Sequence, residues 1–255
     1  MVQQSDARDD FYIGYLPKTS VALAAWVRTR ALLLLGLFAL LALALVTSMG
    51  GFSKAQFEFG VERSFQGVLV ARPYPVLLVD RPAAEAASPS VYSLVAFGKF
   101  GADEAVRDLD GCTVELRGSL IYRDNQTMIE LVEDSLRKLS EPSPDVRPVL
   151  DLGLQKLRGE IVDSKCFLGV MKPGNLKPHR ACATRCISGG IPPVLLVRDE
   201  QELASYYLLV AADGSAVNGE VLDFVAEPIE VEGRLETRGE QSFLYADPST
   251  YRRLD

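Results

Sequence analysis

Apolar and polar positions along this chain follow two different patterns. From Ala31 to Met49, nineteen consecutive residues carry no charge and are mostly Leu and Ala, which is long enough to cross the hydrocarbon core of a bilayer. After this run, apolar residues occur in short segments that alternate with polar residues and are separated by turn residues, a pattern typical of β-strands. The sequence therefore predicts one transmembrane helix, residues 28–50, followed by a mainly β region.

The charges on either side of the apolar run predict its orientation. Arg28 and Arg30 precede the run, whereas Glu58 and Glu62 follow it. Because positive flanks favour the cytoplasmic side, we expect residues 1–27 in the cytoplasm and the β region in the periplasm, with the helix in a bacterial inner membrane. A cleaved signal peptide is the alternative, since small residues follow the run. The cytoplasmic segment contains a candidate docking site for a membrane partner, the aromatic residues Phe11, Tyr12 and Tyr15.

Two parts of the β region match each other. Residues 114–120, VELRGSL, align with residues 229–235, IEVEGRL, and the match continues without gaps for twenty more residues. Further upstream, Gly67 pairs with Gly159. The sequence therefore predicts two copies of one unit joined by a Pro-rich, extended linker: residues 61–140, the linker 141–154, and residues 155–255.

Each copy contains five or so predicted strands, with a glycine in a middle strand that is followed by a hairpin. This arrangement resembles the OB-fold, a five-stranded, partly open barrel. The resemblance implies two tandem OB-fold-like barrels after one transmembrane helix, as in membrane-anchored OB-fold proteins exported by bacteria, and it implies no particular ligand. The formal net charge of −7 argues against a nucleic-acid partner, because phosphate neutralisation needs a basic surface.

The second copy contains an insertion, residues 163–193, that the first copy lacks. It holds three of the four cysteines and the only histidine. Pro178 and the Gly189-Gly190 pair predict a short helix over residues 178–188. His179, Cys182 and Cys186 would share one face of that helix. If Cys166 folds back toward this face, a Cys3His set suited to zinc or copper(I) results.

The cysteines have three interpretations. The spacing of Cys182 and Cys186, with a histidine nearby, resembles the copper-handling sites of respiratory oxidases and their assembly factors, although the histidine here precedes the cysteines. In an oxidising compartment, a disulfide from Cys166 to either of the other two would staple the insertion. Alternatively, Cys182 and Cys186 would form a reversible thiol pair. Cys112, in the first copy, is either a small buried apolar residue or a partner for an odd cysteine.

The insertion is also basic, since no acid occurs between Ser164 and Arg198. Its cations form a candidate site for an anion or an acidic partner: Lys165, Lys172, Lys177, Arg180 and Arg185. No Gly-x-Ser-x-Gly elbow or phosphate-binding Gly-Lys-Ser sequence is present, so we assign no catalytic residue. The sequence predicts a non-catalytic accessory protein that binds copper or zinc, or docks a partner in a membrane complex of the respiratory type.

Overall fold

The computed structural model describes residues 19–49, 55–80, 89–142, 147–201 and 203–254. The chain divides into two units, residues 1–53 and 54–255, and each is described by itself. The aromatic residues predicted to dock a membrane partner, Phe11, Tyr12 and Tyr15, lie outside the described residues.

The first unit contains a single long helix, α1, which spans Val21–Met49. It begins seven residues before the predicted start, and the Ser20 hydroxyl accepts a hydrogen bond from the Leu23 N–H at 3.3 Å. Apolar side chains are exposed along the helix and leave no polar face. A helix that is apolar on all sides needs apolar surroundings. Residues 21–48 are long and apolar enough to cross a membrane, as an anchor or as a signal sequence.

The second unit begins with a closed barrel of five strands. Its strands are β2 (Arg63–Val70), β3 (Val76–Val79), β4 (Ser90–Val95), β5 (Thr113–Arg123) and β6 (Gln126–Leu131). β2 pairs with β3 and β5, β4 runs parallel to β6, and β6 returns to β5 to close the barrel. A short helix, α2 (Asp103–Val106), precedes the fourth barrel strand. Two further short strands, β1 (Gln56–Phe57) and β7 (Arg137–Lys138), pair with β5.

A second five-stranded barrel follows with the same strand order. Its strands are β8 (Val149–Asp163), β9 (Pro193–Arg198), β10 (Ala204–Val210), β11 (Pro228–Arg238) and β12 (Gln241–Tyr245). β8 pairs with β9 and β11, β10 runs parallel to β12, and β12 pairs with β11. The two-residue strand β13 (Arg252–Arg253) pairs with β11 as β7 does with β5. The prediction of a mainly β chain with two OB-like barrels is therefore confirmed.

Glycines at matching positions explain part of the repeat in the sequence. Gly67 and Gly159 lie on the first strand of their barrels, where β2 and β8 turn from one neighbour to the next. A Cβ atom would collide with the carbonyl oxygen of Leu78 at the first position and of Leu196 at the second. The same close approach of two strands therefore excludes a side chain in both copies. β8 begins at Val149, so its first residues belong to the segment predicted as linker.

The two barrels pack against each other within the second unit. The buried Tyr74 hydroxyl of the first barrel donates a hydrogen bond to the Leu209 carbonyl at 2.8 Å, and it accepts one from the Val217 N–H at 3.2 Å. The Tyr206 hydroxyl of the second barrel donates to the Asp124 carboxylate at 2.6 Å. Burial raises the pKa of Tyr74 above its usual range. These contacts join the first barrel to the second through the residues that follow β2 and β5.

Candidate metal centre

The insertion forms a helix, α3, which spans Leu176–Ser188. It begins two residues before the predicted start because a carboxylate of β8 binds its first turn. Glu160 accepts hydrogen bonds from the Leu176 N–H at 2.9 Å and from the Asn175 side-chain amide at 3.1 Å. A carboxylate is favourable at this end of a helix because the first N–H groups have no partner within the helix. The strand that leads into the insertion therefore also positions its helix.

Cys166 lies on a short helical turn, Cys166–Val170, that follows β8. The carboxylate of Asp163 fixes this turn, because Oδ1 accepts a hydrogen bond from the Cys166 N–H at 2.7 Å. A Cβ atom at Gly174 would collide with the backbone of Cys166 and Phe167, so the glycine lets the chain fold back over the turn. The chain then enters α3 beside Cys166, as the sequence predicted for a converging Cys3His set.

Three sulfur atoms meet at this point. Cys166 Sγ lies 3.9 Å from Cys182 Sγ and 3.8 Å from Cys186 Sγ, and all three cysteines are free thiols. The predicted disulfide from Cys166 is therefore not formed in this structure, since an S–S bond is about 2.05 Å long. Two thiolates bound to one tetrahedral zinc at about 2.3 Å lie roughly 3.8 Å apart. The sulfur spacing fits a shared ion.

Cys166 belongs to two overlapping groups of candidate ligand atoms, one with Asp163 and Cys186 and the other with His179 and Cys182. His179, in the first turn of α3, is 4% exposed, and one ring nitrogen lies within 4.8 Å of the sulfurs of Cys166 and Cys182. Its Nε2 lies 3.0 Å from Oδ2 of Asp163, which is fully buried. A carboxylate behind a metal-binding histidine fixes the ring and its tautomer. We did not predict Asp163 as a site residue, although an acid at the end of a strand just before Cys166 is a signal for such a role.

The pKa values of the buried thiols diverge. The hydrogen bond with the Cys186 sulfur, followed by burial, raises the pKa of Cys166. The same hydrogen bond lowers the pKa of Cys186. Cys166 therefore keeps its proton while the Cys186 sulfur accepts a hydrogen bond from it, so an arriving ion would displace at least the Cys166 proton.

Lys99, from the first barrel, closes the site on the side of Cys182. Its Nζ donates a hydrogen bond to Cys182 Sγ at 2.7 Å and lies 3.7 Å from Cys186 Sγ. The hydrogen bond to Cys182 raises the pKa of Lys99, so this side chain remains an ammonium. Lys99 therefore places a positive charge directly against the Cys182 sulfur. This contact could not be predicted from the sequence, because Lys99 precedes Cys182 by 83 residues.

Lys165 does not belong to an exposed anion site, contrary to the sequence prediction. It is 1% exposed and forms an ion pair with Glu130 of β6. Its Nζ also donates to the carbonyl oxygens of Ala96 at 2.8 Å and Gly98 at 2.7 Å. A buried charge is tolerated only with such partners. Lys165 thus joins the insertion to the loop that carries Lys99.

The other cations of the insertion differ in what they contact. Arg180 forms an ion pair with Glu227 of the second barrel and donates to the Asp223 carbonyl at 3.2 Å. The remaining predicted anion-site residues are exposed: Lys172, Lys177 and Arg185. Cys112 is 1% exposed within the core of the first barrel and does not belong to the sulfur cluster.

The inner side of the sulfur cluster is apolar. Cys166 and Cys186 pack with Leu168 and Ile191 of the insertion against side chains of the first barrel, including Val95, Ile121 and Met128. The Arg123 guanidinium, at the end of β5, lies 4.0 Å from the centre of the Phe167 ring. The second barrel holds the end of α3, since the Asn218 amide donates to the carbonyls of Ile187 and Ile191 at 2.9 Å each. The site is therefore enclosed by both barrels.

Comparison with known proteins gives no matching family model and no matching curated sequence.

Proposed function

We propose that this chain is a non-catalytic, membrane-anchored accessory protein that binds one zinc or copper(I) ion. Cys166, His179, Cys182 and Cys186 would hold the ion, and Asp163 would orient the histidine. The observation that carries the proposal is the spacing of 3.8 and 3.9 Å between unbonded sulfurs, which suits thiolates that share one ion. Three sulfurs and one nitrogen form a ligand set that favours soft or borderline ions.

The proposal includes a location and a partner. The apolar helix α1 would anchor the chain in a bacterial inner membrane, with both barrels in the periplasm. The exposed cations Lys172, Lys177 and Arg185 would dock an acidic surface of a membrane complex of the respiratory type. The aromatic residues Phe11, Tyr12 and Tyr15 would contribute a second contact on the cytoplasmic side.

Metal analysis of the purified full chain tests the binding site. The protein is extracted in detergent under anaerobic conditions, and zinc, copper and free thiols are measured together. We expect about one equivalent of a single metal, since the four ligands suit one ion. Cys182→Ser should lose it, whereas Cys112→Ser, which changes a cysteine outside the cluster, should retain it. Metal-free protein with all thiols accessible after denaturation, or equal metal loss in both variants, would contradict the proposal.

The docking part has its own test. A tagged chain is followed in detergent-solubilised membranes by native electrophoresis. Reversal of Lys172 and Lys177 to Glu should release the chain from a larger assembly, because the cations would no longer face an acidic surface. Reversal of two exposed cations of the first barrel, Arg72 and Arg107, is the matched control. The same migration for both double variants would argue against docking through the insertion.

A further inference from the structure

The three clustered cysteines differ in access to solvent and in their neighbours. Cys166 and Cys186 are 3% and 1% exposed, whereas Cys182 is partly exposed. Cys182 is also the sulfur to which Lys99 donates its hydrogen bond of 2.7 Å. A sulfur that attacks a dissolved disulfide must be reachable from solvent, and of the three clustered sulfurs Cys182 is the one that is partly exposed. Cys182 is therefore the sulfur that a reagent from solvent meets first.

Disulfide geometry decides which cysteine can react with Cys182 next. Cys182 and Cys186 are four residues apart on α3, where side-chain Cβ atoms lie about 5–6 Å apart. A disulfide needs Cβ atoms about 3.5–4.5 Å apart, so the helix disfavours this pair. Cys166 lies on a separate segment, and its sulfur is already 3.9 Å from that of Cys182. The suitable partner of Cys182 is thus Cys166, and the helical pair considered from sequence is not.

We infer that the centre without a bound ion carries out thiol–disulfide exchange, with Cys182 as the attacking sulfur and Cys166 as the resolving sulfur. The inference uses the same sulfurs as the proposed metal site, but it does not depend on metal binding. The substrate class is a solvent-accessible disulfide, on a small molecule or on an exported protein.

The reaction proceeds in two balanced steps. The Cys182 thiolate attacks one substrate sulfur, the substrate S–S bond breaks, and the other substrate sulfur leaves as a thiolate. Cys166 then attacks the Cys182 sulfur of the mixed disulfide, which expels the second substrate thiolate and leaves a Cys166–Cys182 disulfide. The Cys166 thiol proton passes to one of the two substrate thiolates. Two protein thiols are oxidised, and one substrate disulfide is reduced to two thiols.

The test uses the full chain in detergent, stripped of metal with a chelator and exposed to oxidised glutathione. The reaction is stopped by alkylation, and the peptides are mapped by mass spectrometry. We expect a Cys166–Cys182 link, with Cys112 and Cys186 alkylated. Cys166→Ala should stop at a glutathione adduct on Cys182. A link through Cys186, a first adduct on another cysteine, or no reaction at all would overturn the assignment.

A Lys99 variant provides a second test in which all four cysteines are retained. Lys99→Met should slow adduct formation at Cys182 about tenfold, because a hydrogen bond from a charged donor to the attacking sulfur is lost. Arg107→Met, which removes an exposed cation of the first barrel, should leave the rate unchanged. Equal rates in both variants would remove Lys99 from the reaction. Metal content measured on the same preparations distinguishes metal binding from disulfide exchange. A chain that binds zinc but does not react with the disulfide supports the proposed metal site and contradicts the exchange reaction.

Discussion

The two barrels differ most at the connection between their first and second strands. In the first barrel, residues 71–75 join β2 to β3. In the second, residues 164–192 join β8 to β9 and contain all four candidate ligands. The strand order and the glycines at the close strand contacts are otherwise the same. One barrel design thus accepts a long insertion at a single connection without a change in its pairing.

The copy without ligands nevertheless contributes to the site. It supplies Lys99 over Cys182, Glu130 against Lys165, and an apolar wall behind Cys166 and Cys186. Neither barrel could enclose the cluster alone, because the ligands come from one copy and much of the enclosure from the other. The second copy therefore carries the clustered cysteines and the histidine, and the first copy limits access to them.

The largest expected effect comes from breaking the contact between the copies at Lys165. Lys165→Met leaves the Glu130 carboxylate buried without its cation, and loss of one partner of a buried pair costs about 3–5 kcal/mol. The free energy of unfolding, measured by chemical denaturation of the metal-free chain, should fall by that amount. The apolar double variant Lys165→Met with Glu130→Leu should recover much of the loss, because no charge is then left unpaired. A single variant as stable as the wild type would show that the two copies are not joined here.

A smaller effect is expected within the insertion, at Asp163. Asp163→Asn keeps the size of the side chain and an oxygen for the Cys166 N–H, but it weakens the contact with His179. Loss of a carboxylate behind a ligating histidine lowers metal affinity about 10–100-fold. Competition with a coloured chelator measures the affinity. The control is Glu227→Gln, which weakens the ion pair with Arg180 of α3 and should change metal affinity little. Equal losses of affinity in both variants would indicate that the effect comes from a displaced α3 and not from the contact between Asp163 and His179.

The smallest effect concerns pH. Because the pKa of Cys166 is raised, the metal-free centre carries its proton at neutral pH and the ion must displace it. Affinity should therefore rise with pH, by about tenfold per unit for each proton released. Titration at several pH values, with calorimetry in buffers of different ionisation enthalpy, counts these protons. An affinity that does not depend on pH would contradict a protonated Cys166.

Much of the fold could be predicted because the residues repeated in both copies are required by close contacts within pairs of strands. Gly67 and Gly159 are required by the same close contact of two strands, and Gly118 and Gly233 by another on the fourth strand. Such constraints act within one strand pair and leave the same residue at the same position in both copies. The start of α3 was predicted two residues late because its stabilising carboxylate, Glu160, lies in a strand rather than in the helix.

The ligands of the site could be predicted, but not their surroundings. His179, Cys182 and Cys186 are spaced along one helix, so helical periodicity alone places them on one face. Lys99 and Glu130 come from the other copy, and no local pattern relates them to the insertion. The same reason explains the error at Lys165, which looks like a surface cation until its distant partner is known.

The order of these parts along the chain affects how the centre is assembled. Lys99 and Glu130 precede Cys166, the first clustered cysteine, in the sequence. The last strand that pairs with the first barrel, β7, ends at Lys138. Synthesis starts at the N-terminus and domains fold as units during synthesis. The first barrel can therefore fold before Cys166 is synthesised. The clustered cysteines would then pack against a folded first barrel soon after they are synthesised. This shortens the time in which an oxidant can form incorrect disulfides between them.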